Sequence, residues 1–170
     1  DTTPVPSAST PTPLPTDTAF PAVDRDWGSC SLPSSFSEQV LQWCDVIEKW
    51  SQARNIDPRL VAALITQESG GDPNIISNWG AVGLMQVMPN DGIAATVTNE
   101  FGQPYFANRP STQRLLDPDY NLEYGTQMLV NSGVLSDPRE ALRLYGPASN
   151  TLSYPYYYAD KVLAIYYANQ

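Results

Sequence analysis

The sequence contains no histidine, two lysines (Lys49 and Lys161) and two cysteines (Cys30 and Cys44) in 170 residues. Without histidine there is no Ser-His-Asp or Cys-His nucleophilic system and no HExxH metalloprotease, and most zinc sites are excluded. Two cysteines alone make a protein-only metal site improbable, so no metal and no other cofactor is expected. Acid–base chemistry then falls to carboxylates, with tyrosine as the other candidate. Basic charge is scarce, and the net charge is −9. This argues against nucleic acid as a partner, which needs a basic patch, and against attraction to anionic lipid surfaces. No apolar run reaches the roughly 18 residues of a membrane span. There is no signal-peptide pattern, and the chain opens at Asp1 rather than Met, so a segment upstream of Asp1 is expected. An alternating β pattern is nearly absent, and there is no internal repeat.

Proline is concentrated at the N-terminus. Residues 1–22, DTTPVPSASTPTPLPTDTAFPA, cannot bury enough apolar surface to fold and favour extended polyproline-like conformations. They read as a disordered linker or stalk, or as a tail with no such role. Residues 23–170 are long enough for one domain with its own core, and nothing in them suggests more than a monomer. Cys30 lies in a polar Gly-Ser-Cys-Ser stretch where burial of a free thiol is not expected. A Cys30–Cys44 disulfide is therefore predicted, which implies an oxidising compartment. The alternative is that Cys44 is a small buried apolar residue on a helix.

The patterning is helical. Ser35-Phe36-Ser37-Glu38 fits a capping box, and Val40, Leu41, Cys44 and Ile47, then Trp43 and Trp50, give the following helix a broad apolar face to about Arg54. Asp57-Pro58, Asp117-Pro118 and Asp137-Pro138 each combine a capping acid with proline at the first helical position, and Glu140 adds a capping-box partner at the last. The spacing predicts helices near 37–54, 58–69, 88–98, 118–131, 138–145 and 154–168. Residues 99–116 are too polar and too marked by Pro and Gly for a regular helix and read as a long loop.

One acid falls where an acid is unexpected. Leu60, Val61, Leu64 and Ile65 recur at helical spacing, and Glu68 continues their face. Glu is almost never fully buried without a reason. The helix should end at Gly70-Gly71. Desolvation and the negative end of the helix dipole would then both raise the Glu68 pKa. A carboxylic acid kept protonated near neutral pH is what protonation of a glycosidic oxygen requires. A surface Glu at a helix end is the plainer reading of the spacing alone.

The segment that follows tips the balance. Glu68-Ser69-Gly70, then Gly83-Leu84-Met85-Gln86-Val87-Met88-Pro89 at an uninterrupted spacing, resembles the signature of the soluble-type lytic transglycosylases, relatives of goose-type lysozyme. The resemblance covers about residues 37–168. It implies an all-α, lysozyme-like domain with a substrate groove, acting on peptidoglycan glycan strands in a secreted or cell-envelope location, with anchoring through a segment upstream of Asp1 as one expectation. It implies that Glu68 protonates the β-1,4 bond between N-acetylmuramic acid and N-acetylglucosamine. The substrate's 2-acetamido group would then assist, and the muramyl 6-hydroxyl would close a 1,6-anhydro ring with Glu68 as base.

By the same resemblance Ser69 follows the acid, Ser77 faces substrate, and Gln86 and Met88 line the sugar cleft. A third family motif, usually Ala-Tyr-Asn-Ala-Gly, here reads Leu144-Tyr145-Gly146-Pro147-Ala148, so Tyr145 is kept and Gly146 stands where the Asn would be. The last motif, Tyr158-Ala-Asp-Lys-Val162, implies a tyrosine hydroxyl on the catalytic carboxylate. Tyr154, Tyr156 and Tyr157 are neighbouring alternatives to Tyr158. Most glycosidases use two carboxylates. Asp72, before Pro73, and Asp91, after Pro89, are the near candidates, and a turn and a helix start are their ordinary roles. A hydrolytic muramidase, a chitin-cleaving enzyme and a non-catalytic wall-binding module are the alternative readings.

Overall fold

In the computed structural model, residues 30–146 and 154–170 are described. The linker expected at 1–22 and Pro147-Ala148 of the third motif lie outside them. Among them seven α-helices follow one another: α1 (Glu38–Leu41), α2 (Cys44–Arg54), α3 (Pro58–Glu68), α4 (Thr112–Leu115), α5 (Pro118–Asn131), α6 (Pro138–Tyr145) and α7 (Tyr157–Ala168). Among the described residues there is no sheet, only the isolated bridges Ile76–Val82, Val82–Val87 and Thr98–Pro104. No helix there is long and apolar enough to cross a membrane.

Helix α3 is the axis of the core. Leu60, Val61, Ala62, Ala63, Leu64 and Ile65 are all buried, so this helix is enclosed on every side rather than along one stripe, as an all-round apolar helix must be. It packs against α7, α2 and α1, while α6 lies against α7 and α5. Asp57, Asp117 and Asp137 cap α3, α5 and α6 as expected, each carboxylate accepting a backbone N–H of the first turn. The positive φ of Asn55, 55°, ends α2, a left-handed cap that Asn tolerates.

Three expectations need correction. The helix expected over 37–54 is interrupted at Gln42-Trp43. There the Trp43 N–H bonds back only three residues to Val40, the indole N–H donates to the Gly71 carbonyl at 2.9 Å, and Cys44 is tied to Cys30. These long-range ties override local helix propensity. The capping box does not form: Ser35 Oγ donates to Asn169 near the C-terminus, and the cap residue, Ser37, makes no side-chain bond. Glu140 likewise holds Arg143 and Tyr156 rather than closing a box.

The helix expected over 88–98 is a short 3₁₀ turn, Gly92–Thr96. Asp91 is extended and Gly92 has φ +59°, so no α-helix can run through them. The long loop 99–116 is structured within itself. Asn99 Oδ1 accepts from the Phe101 and Gln103 N–H groups, Tyr105 N–H returns to Val97, and α4 forms at its end. Cys30 and Cys44 do form the predicted disulfide, with Cα atoms 5.9 Å apart.

Candidate active site

The core helix ends in a carboxylate. Glu68 is the last residue of α3, and the chain leaves through Ser69, Gly70 (φ +63°) and Gly71 (φ +93°). Gly71 is required twice over, by its left-handed backbone and because a Cβ there would fall on the Gln39 carbonyl of α1. Glu68 is half-buried. Loss of water raises its pKa from the ordinary 4.5 to about 7, against a lowering influence from the Tyr158 hydroxyl, which donates to Glu68 Oε1. These two are the influences on it, and no second carboxylate is among them.

Tyr158, near the start of α7, is buried, and its own pKa is pushed well above 10 by burial and then by the Glu68 charge. It therefore stays a donor at any working pH. Its ring lies directly on Gly146, where a Cβ would overlap the ring carbons. Gly146, which stands where the resemblance has an Asn, is thus the position on which the Tyr158 ring packs. Tyr145, at the end of α6, donates to the Met85 carbonyl at 2.7 Å. Burial, then the Glu68 charge, raises its pKa as well, with an opposing pull from the Arg109 guanidinium.

The residues 82–88 that form the facing segment are fixed by a side chain that sequence reasoning missed. Asn121 of α5 is fully buried. Its Oδ1 accepts from Met85 N–H at 2.8 Å, and its Nδ2 donates to the Val82 and Leu115 carbonyls at 2.9 Å each. Gly83 (φ +76°) passes so close that a Cβ would sit 2.5 Å from Asn121 Nδ2. Gly125, one turn along α5, gives Met85 the same clearance. The available signal was a polar residue one helical turn from Gly125 on the face of Leu122 and Leu129.

The remaining expected residues are distributed as follows. Ser69 Oγ donates to the Leu84 carbonyl at 2.9 Å and accepts from Gly71 N–H at 3.1 Å, stitching the helix end to the facing segment. Ser77 Oγ accepts from the Trp79 and Ala81 N–H groups at 3.3 and 3.0 Å and so orders the 77–81 turn. Gln86 has φ +47°, and its Nε2 donates to the Gly83 and Ile75 carbonyls at 3.0 and 3.2 Å. Met88 is half-buried beside it. The hydrogen bonds thus join Glu68 to Tyr158 and Tyr145 to Met85, whereas Ser77 and Gln86 bond within their own segment.

The two other acids are occupied. Asp91 accepts from Thr112 N–H at 2.9 Å and from the Thr112 hydroxyl, which hold its pKa below the usual carboxylate value. Asp72 is exposed and accepts from Asn74 N–H at 2.9 Å, an ordinary turn role. Cys30, Cys44 and Glu48 lie within metal-binding reach of one another, but both sulfurs are in the disulfide and are not available as thiolates.

The transglycosylase SLT domain family matches residues 45–135. The endo-type membrane-bound lytic murein transglycosylase A of Citrobacter koseri is 37% identical over 92 residues, which cover 54% of this chain and 43% of that protein. Its counterpart in Cronobacter sakazakii is 37% identical over 101 residues, covering 58% and 47%. The chain therefore spans less than half the length of these curated relatives. Among solved structures, the 70-kDa soluble lytic transglycosylase of Escherichia coli superposes with a TM-score of 0.53 at 23% identity, covering 72% of this chain and 23% of that one. A complex of a 70-kDa soluble lytic transglycosylase with bulgecin A gives 0.54 at the same identity, covering 75% and 24%. At that identity the superposition establishes the fold, and the family match, over more than half of the chain, establishes the rest: the chain belongs to the transglycosylase SLT domain family.

Proposed function

We propose that this chain is a peptidoglycan lytic transglycosylase domain that cleaves the β-1,4 bond between N-acetylmuramic acid and N-acetylglucosamine with Glu68 as its only acid–base group. The observation that carries the reading is the environment of Glu68: a carboxyl at the end of the core helix, desolvated to a pKa of about 7 and held by the Tyr158 hydroxyl. A group that must first give and then take a proton works best with a pKa near the operating pH. Protonated Glu68 donates to the glycosidic oxygen, and the bond from that oxygen to the muramyl C1 breaks. The substrate's 2-acetamido group stabilises the cationic centre. The Glu68 carboxylate then takes the proton of the muramyl 6-hydroxyl, whose oxygen bonds to C1. The product ends in 1,6-anhydromuramic acid, Glu68 is again protonated, and no water is consumed.

In this reading Tyr158 orients the acid, while Ser69, Ser77, Gln86, Met88 and Tyr145 bind or shape the substrate groove. Tyr145 does so through the Met85 carbonyl and Ser69 through that of Leu84. Hydrolysis would require a second carboxylate to activate water; of the near candidates, Asp72 caps a local turn and Asp91 is held by the Thr112 N–H and hydroxyl. The catalytic unit comprises residues 23–170, with 1–22 as its connecting segment. It acts as a monomer in an extracytoplasmic, cell-envelope setting, where the Cys30–Cys44 disulfide persists. The test is mass spectrometry of products from purified peptidoglycan. Fragments ending in 1,6-anhydromuramic acid are expected. Reducing muramyl ends would overturn the transglycosylase chemistry, and turnover surviving Glu68→Gln would overturn the assignment of the acid.

A further inference from the structure

Arg109 is a cation without an anion. Arg59, Arg139 and Arg143 each pair with a carboxylate, whereas Arg109, like Arg54 and Arg114, pairs with none among the described residues. Its one side-chain hydrogen bond there runs from Nη1 to the Met128 sulfur at 2.9 Å. Thioether sulfur is a weak acceptor for a group with five N–H donors.

The guanidinium is not a loose surface charge. It is half-buried and framed by the Phe106 and Tyr124 rings, with centroids 5.6 and 5.9 Å away. Its backbone is fixed beside the segment that carries Met88 and Asn90. Arg109 N–H donates to Phe106, and the next carbonyl, Pro110, accepts from Asn90 N–H at 3.0 Å, two residues past Met88. From the other side, Tyr124 and Met128 flank Gly125, on which Met85 packs, and Met85 is the partner of Tyr145. The Arg109 charge is felt at the Tyr145 hydroxyl. A planar fork with free N–H donors, held by aromatic rings against the wall that carries Met88, suits a carboxylate better than a sugar hydroxyl.

From this geometry we infer that Arg109 binds a carboxylate of the peptide stem on the muramyl residue, so that the groove reads stem charge as well as sugar. The inference rests on the proposed peptidoglycan substrate. It also accounts for a cation at the groove of a chain whose net charge of −9 would otherwise repel an acidic polymer.

The test compares two forms of the same purified peptidoglycan, one with its stem carboxylates intact and one with them converted to amides by carbodiimide and ammonia. The unsubstituted protein is expected to cleave the carboxylate form about tenfold faster, the scale of a charge-assisted hydrogen bond at a partly exposed site. Arg109→Gln should abolish that ratio, and Arg109→Lys should keep most of it. An equal loss on both forms, or a ratio that Arg109→Gln leaves as it was, would overturn the inference. A misfolded Arg109→Gln would lower both rates together, and the Lys variant then decides. Pelleting of Glu68→Gln with and without Arg109→Gln on the two forms reads the same preference without turnover. A preference in binding alone, with neither form cleaved, would sink the proposed reaction and keep the Arg109 assignment.

Discussion

Removing one hydroxyl should move the pH dependence of the whole reaction. Two opposed influences set the Glu68 pKa near 7: desolvation pushes it up, and the Tyr158 hydrogen bond, which favours the carboxylate, pulls it down. Tyr158→Phe deletes only the second. The ring stays, so its contact with Gly146 and the burial of Glu68 are kept. A hydrogen bond to a charged group contributes about 1.5–3 kcal/mol, so its loss should raise the Glu68 pKa by roughly one to two pH units. In the proposed reaction the first step needs the protonated acid, so kcat/KM on glycan strands should fall as pH rises through the Glu68 pKa in the free enzyme. The alkaline limb should therefore lie near pH 7 in the unsubstituted protein and one to two pH units higher, roughly, in Tyr158→Phe. Its plateau rate should be lower, because the acid is no longer oriented. Titration of Glu68 followed by carboxyl carbon-13 NMR should shift with it. A limb that stays in place or moves to lower pH would refute the reasoning, since the hydroxyl would then not be what holds the carboxylate form.

Four other outcomes follow from the same contacts. Glu68 has a higher pKa folded than unfolded, so the folded state holds more protons between pH 4.5 and about 7, and stability falls as pH rises through that window. Glu68→Gln should abolish that slope and, above pH 7, raise unfolding free energy by at most about 3 kcal/mol, read by urea unfolding at pH 5 and pH 8. Gly146→Asn, which restores the family residue, would drive a side chain into the Tyr158 ring; turnover should fall and the alkaline limb should move as in Tyr158→Phe. Asn121→Ala leaves the Met85 N–H buried without its partner and takes one hydrogen bond each from the Val82 and Leu115 carbonyls, and should cost about 3 kcal/mol, measured as a drop in the denaturation midpoint. Reduction of Cys30–Cys44, whose loop spans 14 residues, should cost about 3 kcal/mol, measured as a fall in Tm with dithiothreitol.

Wherever local chemistry decides, the structure was legible in the sequence. The Asp-Pro pairs carry their own cap and their own φ, and all three open helices where expected. Glu68 was legible because an acid on an apolar face is an anomaly that needs no partner to be noticed. Failures came where distant groups decide. The break at Gln42-Trp43 depends on Gly71 and Cys30, and Ser35 faces Asn169, which is 134 residues away. Asn121 escaped notice because one buried amide among apolar neighbours looks like a tolerated polar residue until its three backbone partners are known. Arg109 sat in a segment read as loop, and no spacing rule connects residue 109 to Met128 or Asn90.

These long-range ties explain why a half-buried carboxylate can be held in a chain of this size. The acid ends a helix whose other faces are all covered by α1, α2 and α7, so the cost of desolvating it is spread over a core that cannot relax around one residue. Its hydrogen-bond donor comes from α7, the helix that packs most closely on α3. The facing segment is fixed by α5 through Asn121 and Gly125 and by α6 through Tyr145. Three separate helices therefore meet the acid or the segment opposite it, α7 and α6 each through one tyrosine hydroxyl and α5 through the Asn121 amide, which bonds both Met85 and Val82. A substitution on any one of them should change the Glu68 pKa and the groove shape together, which is why pH profiles, rather than rates at a single pH, separate their roles.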